Sequence, residues 1–301
     1  MLFVVITATF FLQQLIPGDP ASFVLGDQST QAQRASFDAS LGLHRPLINQ
    51  YGTQLVHDLE GNLGTSWTNG NEPVSQLITS ALPVTLSLAL LATVVTAIAG
   101  FGLGTIAALR RGRPLDRAAQ GLAGISTGLP NFWLAIVLAL LLAVDVHLFP
   151  ATGFVSITTS PASWLDSLVL PVIALSFAAM AGVLLQVRSS MIDVLGQDFI
   201  RSLKACGVPR RRIIFKHALR NGSIPVVTTL GFLFVGLLSG TVVIEQVFNL
   251  AGLGSVLLLA VVTHDVPTVQ GVVIVFAVIV VVVNVIVDVC AALLNPRIRV
   301  T

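Results

Sequence analysis

Six long apolar stretches interrupt this sequence, and they constrain its fold more than any other feature. They run from Met1 to Ile16, Leu82 to Leu109, Ala118 to Val144, Leu168 to Val187, Ile224 to Ile244 and Val269 to Leu294. A helix needs about 20 apolar residues to cross a hydrocarbon core of about 30 Å. Only 10% of the residues are charged, against about 25% in soluble domains. The sequence therefore predicts an all-α membrane protein with six transmembrane helices.

The first stretch is the weakest of the six, because its 16 residues fall short of a full crossing. A secretory signal peptide would need a basic start and a small-residue cleavage site, and residues 1–16 have neither. We therefore interpret residues 1–16 as a first transmembrane helix whose start is truncated or wrongly assigned.

The basic residues predict the orientation of the chain. Fourteen of the sixteen lysines and arginines lie in three segments, at 110–117, 188–220 and 297–299, which six crossings place on one side of the membrane. The opposite segments carry only Arg34 and Arg45, together with ten acidic residues. Because basic loops stay in the cytoplasm, we expect both termini to be cytoplasmic.

Three segments outside the apolar stretches stand out. The external segment 17–72 is polar, and Leu47, Tyr51, Leu55 and Leu59 recur every four residues, which predicts an amphipathic helix on the outer face. The outer loop 245–267 is too apolar to be freely solvated, so we expect it to fold back against the helices. Residues 73–301 would form the membrane core, which includes an internal loop at 191–221.

Polar and small residues inside the apolar stretches favour structural roles. Asp288 lies nine residues before Arg297, about 13 Å deeper along a helix. A buried acid in a bilayer is normally paired, so Asp288 predicts an ion pair or a hydrogen bond between helices, with Asn284 as its companion. The glycine pairs Gly100/Gly104 and Gly124/Gly128 predict close helix packing.

The residues that most enzymes need do not assemble in this sequence. A phosphate-binding loop requires Gly-Lys followed by Ser or Thr, and neither Lys204 nor Lys216 follows a glycine. The five histidines lack the spacing of metal ligands. Cys206 and Cys290 are both expected near the inner side, so no disulfide is predicted. We therefore expect a non-catalytic chain with no cofactor or metal of its own.

The internal loop carries the most specific pattern. A short amphipathic segment, with Phe199, Ile200 and Leu203 on one side and Arg201 and Lys204 on the other, would suit a groove on a soluble partner. A basic anchor at anionic lipid headgroups is the alternative, but an anchor would not require the glycine break at 207–209. The loop consists of DFIRSLKACGVP at 198–209, RRRIIF at 210–215, KHALRN at 216–221 and IP at 224–225. It resembles the cytoplasmic EAA loop of ABC importer permeases.

Further motifs extend this resemblance over nearly the whole chain. Two residues of the loop depart from that family's pattern: Leu203 stands where the family usually has alanine, and Cys206 where a basic residue is common. These departures concern the detail of the ATPase contact. The motifs are IPGDP at 16–20, LGLHRPL at 41–47, GNLGTS at 61–66, AALRRG at 107–112, LPNFW at 129–133, FPATG at 149–153, D-x-P through QG at 265–271, and NPRIR at 295–299. Together they resemble the B-type permease subunit of dipeptide and oligopeptide ABC importers.

The resemblance implies the type I ABC importer permease fold, with a coupling helix inside and a cap outside, in a bacterial inner membrane. The implied partners are a homologous second (C-type) permease, ABC ATPase subunits that bind ATP and magnesium, and an extracytoplasmic solute-binding protein, with no nucleic acid. Gln246 and Asn249 are candidate gating or translocation residues. The residues implied in coupling to the ATPase are Arg201, Ser202, Leu203, Lys204, Ala205, Gly207 and His217.

Two questions stay open from the sequence. Related importers carry nickel chelates, glutathione or haem as well as peptides, so the cargo is not fixed. A secondary transporter or a channel is the runner-up. A secondary transporter would show interrupted spans and intramembrane acids in two matching halves, and here only Asp288 qualifies.

Overall fold

The computed structural model describes residues 2–13, 21, 29–41, 46–222 and 224–294. The sequence motifs at 16–20 and 295–299, and residues 42–45 of the motif at 41–47, lie outside the described residues. Apart from one isolated β-bridge between Thr65 and Pro73, the regular structure in the described ranges is helical. The predicted all-α class is confirmed.

The helices are numbered here from α1 to α12 in chain order. They are α1 Leu2–Gln13, α2 Gln31–Leu41, α3 Leu47–Leu59, α4 Val74–Leu109, α5 Pro114–Gly128, α6 Asn131–Leu138 with its π-helical continuation Ala139–Asp145, α7 Pro161–Gly196, α8 Asp198–Ala205, α9 (Arg210–Arg212, the π-helical turn Ile213–Ala218 and Leu219–Gly222), α10 Ile224–Val247, α11 Leu253–Val262 and α12 Val266–Leu294.

Four of these helices, α4, α7, α10 and α12, are long and apolar enough to cross a membrane. A fifth crossing results if α5 and the α6 segment count as one span, but they are bent by 98° where they meet. The predicted continuous helix from Ala118 to Val144 is therefore wrong. Pro130 explains the break, because proline lacks an amide donor and disfavours helical geometry in the residue before it.

The sixth predicted span remains a prediction. Within the described residues, α1 has 12 residues, about 18 Å of helix, which is shorter than a full crossing. Residues 14–16 of the predicted span lie outside the described ranges.

One compact unit comprises residues 1–84 and 251–282. In it, Leu253 of α11 is fully buried in an apolar cluster with Val74, Ile78 and Val272, so the helical part of the loop 245–267 folds onto α4 and α12 as expected. The helix predicted around Leu47, Tyr51, Leu55 and Leu59 is present as α3, and its place on the outer face stays a prediction. Its Tyr51 ring lies 5.4 Å from that of Phe10 in α1.

The second unit comprises residues 85–250 and 283–301, and α7 packs there against α5, α6 and α10. A Cβ atom on Gly100 would lie 2.6 Å from Val183, and one on Gly104 would lie 2.7 Å from the carbonyl oxygen of Leu184. These glycines therefore allow α4 to approach α7 closely, as predicted. The described residues show no such approach at the Gly124/Gly128 pair, because Cβ atoms there would meet nothing within 4 Å.

Candidate functional site

A helix–turn–helix element forms the predicted coupling loop. Helix α7 ends at Gly196, Gln197 is extended, and α8 begins at Asp198. After α8 the chain turns at Gly207 and enters α9 at Arg210. Because a single residue separates α7 from α8, the position of α8 is set directly by the long helix before it.

The turn after α8 has the hydrogen bonds of a Schellman motif. The Gly207 amide donates to the Lys204 carbonyl at 3.0 Å, and the Val208 amide donates to the Leu203 carbonyl at 3.1 Å. Gly207 has a φ of +73°, in the left-handed region where a Cβ atom is unfavourable. The glycine break identified in the sequence is thus a backbone requirement of the turn.

The apolar side of α8 packs against its own chain. Ile200 is fully buried and Leu203 half-buried in a cluster with Val194, Ile213 and Ala218. The interpretation that the apolar face enters a groove on a partner is therefore wrong for Ile200, which is already covered within this subunit. Leu203 is covered only in part, and its contact with a partner stays a prediction.

The polar side of α8 and its turn are exposed instead. Arg201 pairs with Asp198 at 3.3 Å on the surface, and Phe199 is 37% exposed beside them. His217 is half-buried in the π-helical turn of α9. The predicted coupling residues that the structure brings together on the exposed side are Arg201, Ser202, Lys204, Ala205 and Gly207.

A buried ion pair next to this element was not identified from the sequence. Arg188 of α7 donates from Nε and Nη2 to the two carboxylate oxygens of Asp116 at 2.5 and 2.9 Å, and the Gly112 amide donates to the same carboxylate at 2.9 Å. Asp116 is only 2% exposed. The pair links the start of α5 to α7. The feature of the sequence that could have indicated it is a single acidic residue among four arginines at 110–117.

The two candidate gating residues lie at the C-terminal end of α10 and just after it. Gln246 and Asn249 are both exposed, and Asn249 has a φ of +48°. Glu245, which directly precedes Gln246 in α10, is fully buried and accepts a hydrogen bond from the Thr85 hydroxyl at 2.7 Å. Sequence reasoning counted Glu245 only as an outer-loop acid, because its position at a helix end gave no sign of burial.

The motif residues 265–271 form a clamp with the motif residues 61–66. Asp265 is 2% exposed and accepts hydrogen bonds from the Ser66 hydroxyl, the Trp67 amide at 3.1 Å and the Thr268 hydroxyl at 2.8 Å. A Cβ atom on Gly271 would lie 2.6 Å from Val74. Both motifs are visible in the sequence, but their contact with each other is not.

A second contact in this unit joins α3 to α12. The Gln270 amide donates to Asp58 at 2.7 Å, and the Gln54 amide donates to the same carboxyl group at 3.1 Å. Burial raises the pKa of Asp58 above its ordinary value, although the hydrogen bonds from Gln270 and Gln54 oppose the shift. Two separate polar contacts, Ser66–Asp265 and Asp58–Gln270, therefore join distant segments of this unit.

The predicted intramembrane pair lies near the end of α12. Asn284 is half-buried, and Asp288 is exposed on the surface of the chain. In the ranges that the structure describes, no hydrogen bond or ion pair reaches the Asp288 carboxylate, so no partner for it is seen within this chain. No group of three or more histidine, cysteine or acidic side chains that could hold a metal occurs in these ranges either.

Comparison with known families gives two matches that together span most of the chain. Residues 100–300 match the family described as binding-protein-dependent transport system inner membrane component. Residues 1–89 match the N-terminal family of the same transport system membrane components.

Individual proteins show the same similarity over nearly their full length. The dipeptide transport system permease protein DppB of Bacillus subtilis is 38% identical over 98% of this chain and 93% of that protein. The oligopeptide transport system permease protein AppB of the same organism is 34% identical over 97% of this chain and 93% of that protein.

Among solved structures, the chain has the fold of a permease subunit. The MetNI methionine ABC transporter, in an inward-facing form, matches with a TM-score of 0.61 over 73% of this chain and 97% of that chain, at 14% identity. An amino acid ABC transporter matches with a TM-score of 0.52 at 16% identity. At these identities the likeness establishes the fold alone.

Proposed function

This chain belongs to the family of binding-protein-dependent transport system inner membrane components, and from that premise we propose that it is one permease subunit of an ATP-driven importer of dipeptides or oligopeptides. The exposed polar face of α8, directly continuous with α7, is the observation that carries the coupling part of this proposal. The cargo rests on the relatives that are named for dipeptide and oligopeptide transport. Both termini would lie in the cytoplasm of a bacterial cell, as the basic segments favour.

The proposed assembly contains a second permease, ABC ATPase subunits and an external solute-binding protein. ATP and magnesium would bind to the ATPase chains, because this sequence lacks a phosphate-binding loop. The permease pair would enclose the pathway, and its outer surfaces, including residues 46–72, would face the binding protein.

In the proposed mechanism, α8 transmits the closure of the ATPases to the membrane helices. Arg201, Ser202 and Lys204 would contact the ATPase, while Ile200 keeps α8 attached to its own subunit. A displaced α8 would move α7 with it, because only Gln197 separates the two helices. The Arg188–Asp116 pair would carry this motion to α5. Alternating access then follows as a rigid-body change between two packed arrangements.

The experiment is the substitution Gly207→Val, compared with Gly196→Val. A Cβ atom would meet nothing within 4 Å at either glycine, but only Gly207 has a positive φ, where an L-residue is strained by about 1–2 kcal/mol. We expect Gly207→Val to abolish ATPase stimulation and transport in the reconstituted complex, with membrane insertion retained. Gly196→Val should stay near wild type.

Normal stimulated ATPase activity in the Gly207→Val variant would contradict the coupling role of this turn. Transport itself should require ATP and should survive proton uncouplers when ATP is held constant. Uptake that collapses with the proton gradient at constant ATP would favour a secondary transporter.

A further inference from the structure

Helix α12 is the least covered of the long apolar helices in the described chain. The most apolar 18-residue stretch of α12 has a mean hydropathy of 3.2, and 11% of it is buried, whereas 61% of the corresponding stretch of α7 is buried. A helix that is apolar on all sides must be covered by lipid or by other protein. The surroundings of α12 are therefore supplied from outside the described part of this chain.

Asp288 is the one charged residue among the 29 residues of α12. It lies beside Val287, which packs against Gly231 so closely that a Cβ atom there would be 2.5 Å from the valine. Gly231 is seven residues beyond Ile224, the first residue of α10, or about 10 Å along the helix. An exposed carboxylate at this depth is unfavourable against lipid tails, which offer no donor.

The position of Asp288 around the helix restricts what covers it. Asn284 and Asp288 are four residues apart, so they share a face and form a short polar stripe. Ile286 and Val289, which are 54% and 53% exposed, point to other sides of α12, since successive residues are separated by about 100°. The polar stripe flanks the contact with α10, and apolar surface surrounds the rest of the helix.

We propose that the Asn284–Asp288 stripe is a contact surface for the second permease subunit, which supplies a cationic side chain at this depth. The inference rests on the proposed function, because it requires that second subunit. An arginine or lysine is the complement that the stripe favours: it neutralises the carboxylate and donates to both the carboxylate and the Asn284 carbonyl.

The first test is site-specific photocross-linking in the complete transporter. p-Benzoylphenylalanine is placed at position 281 or 291, which lie three residues before Asn284 and three residues after Asp288 on the same face, so that both polar side chains stay intact. Positions 286 and 289 are the matched controls on the same helix. The complex is purified through a tag on this chain, and adducts are identified by mass spectrometry. We expect adducts with a second chain of the same family to be at least fivefold stronger from 281 and 291 than from 286 and 289. Lipid adducts alone at 281 and 291, or equal cross-linking from all four positions, would overturn the proposal.

The second test measures how much of the second permease is recovered with each variant. We expect Asp288→Leu to lower the recovery per tagged chain at least fivefold, and Asp288→Asn to lower it less, because an amide still forms hydrogen bonds. Val289→Leu is the matched control and should leave recovery unchanged. Recovery at the wild-type level in the Asp288→Leu variant would overturn the inference. If that variant does not accumulate, Asp288→Asn and the cross-links decide.

Two controls separate this inference from the alternatives. The double substitution Arg297→Gln/Arg299→Gln should leave recovery unchanged, and a loss equal to that of Asp288→Leu would show that the chain's own tail supplies the cation. A wild-type chain that brings neither a second permease nor an ATPase would refute the proposed function itself. An intact complex that tolerates Asp288→Leu would refute only the contact surface.

Discussion

The packing of α4 against α7 gives a prediction whose magnitude follows from the structure. At Gly104, a Cβ atom would lie 2.7 Å from the Leu184 carbonyl oxygen and 2.8 Å from Val187 Cβ. The carbonyl belongs to the backbone of a long helix and cannot rotate away, so α4 and α7 must separate. Overpacking of this kind typically destabilises a protein by about 1–3 kcal/mol.

Gly102 provides the matched control, because it lies two residues away on the same helix and a Cβ atom there would meet nothing within 4 Å. Both alanine variants gain the same helix propensity, about 1 kcal/mol per glycine replaced, and this gain cancels when they are compared. Gly104→Ala should therefore be less stable than Gly102→Ala by about 1–3 kcal/mol.

The assay is reversible unfolding of the purified chain in mixed micelles with increasing SDS, followed by tryptophan fluorescence. The difference in the free energy of unfolding between the two alanine variants is the quantity compared with the prediction. If Gly104→Ala is as stable as Gly102→Ala, α4 does not approach α7 as closely as described, and the argument from the glycine spacing fails with it.

Three further predictions concern the buried polar contacts. Asp116→Asn removes the charge that holds Arg188 and should lower the free energy of unfolding, measured by the same titration; no change would mean that the pair is not formed. Asp265→Ala should release the segment that begins at Ser66, seen as faster cleavage by a protease added from outside, and an unchanged cleavage rate would contradict the clamp. The raised pKa of Asp58 means that the folded chain holds the proton of this carboxyl group more tightly than the unfolded chain does. The protonated Asp58 therefore contributes fully to stability below about pH 3.8, the ordinary pKa. This contribution is lost as the pH rises through the raised pKa. Asp58→Asn should abolish that part of the pH dependence, and an identical pH profile would refute it.

The sequence predicted the long helices because their signal is local. Apolar length predicts α4, α7, α10 and α12, and the glycine of the coupling turn is visible because its backbone conformation requires it. The break at Pro130 was missed, although proline is a known interrupter, because the apolar composition continues through it. Length and composition measure whether a segment is apolar, not whether it is straight.

Contacts between distant residues could not be predicted in the same way. Ser66 and Asp265 are separated by 199 residues, and Asp116 and Arg188 by 72. Each residue alone resembles an ordinary polar residue at the end of a span. Only the packed helices show that these side chains are buried and therefore need their partners.

Amphipathic patterns show that a helix has an apolar face, but they do not identify what covers it. In α8 the pattern suggested a partner protein, whereas Ile200 is covered by the chain's own α7 and α9. In α12 the sequence predicted an ion pair or a hydrogen bond between helices for Asp288, whereas in the described residues its carboxylate is exposed and needs a donor that lipid tails lack. The ATPase contact is accordingly expected on the polar face of α8 and the contact with a second permease on the polar stripe of α12. In both helices the polar residues left uncovered by the fold, rather than the apolar ones, indicate where the partners bind.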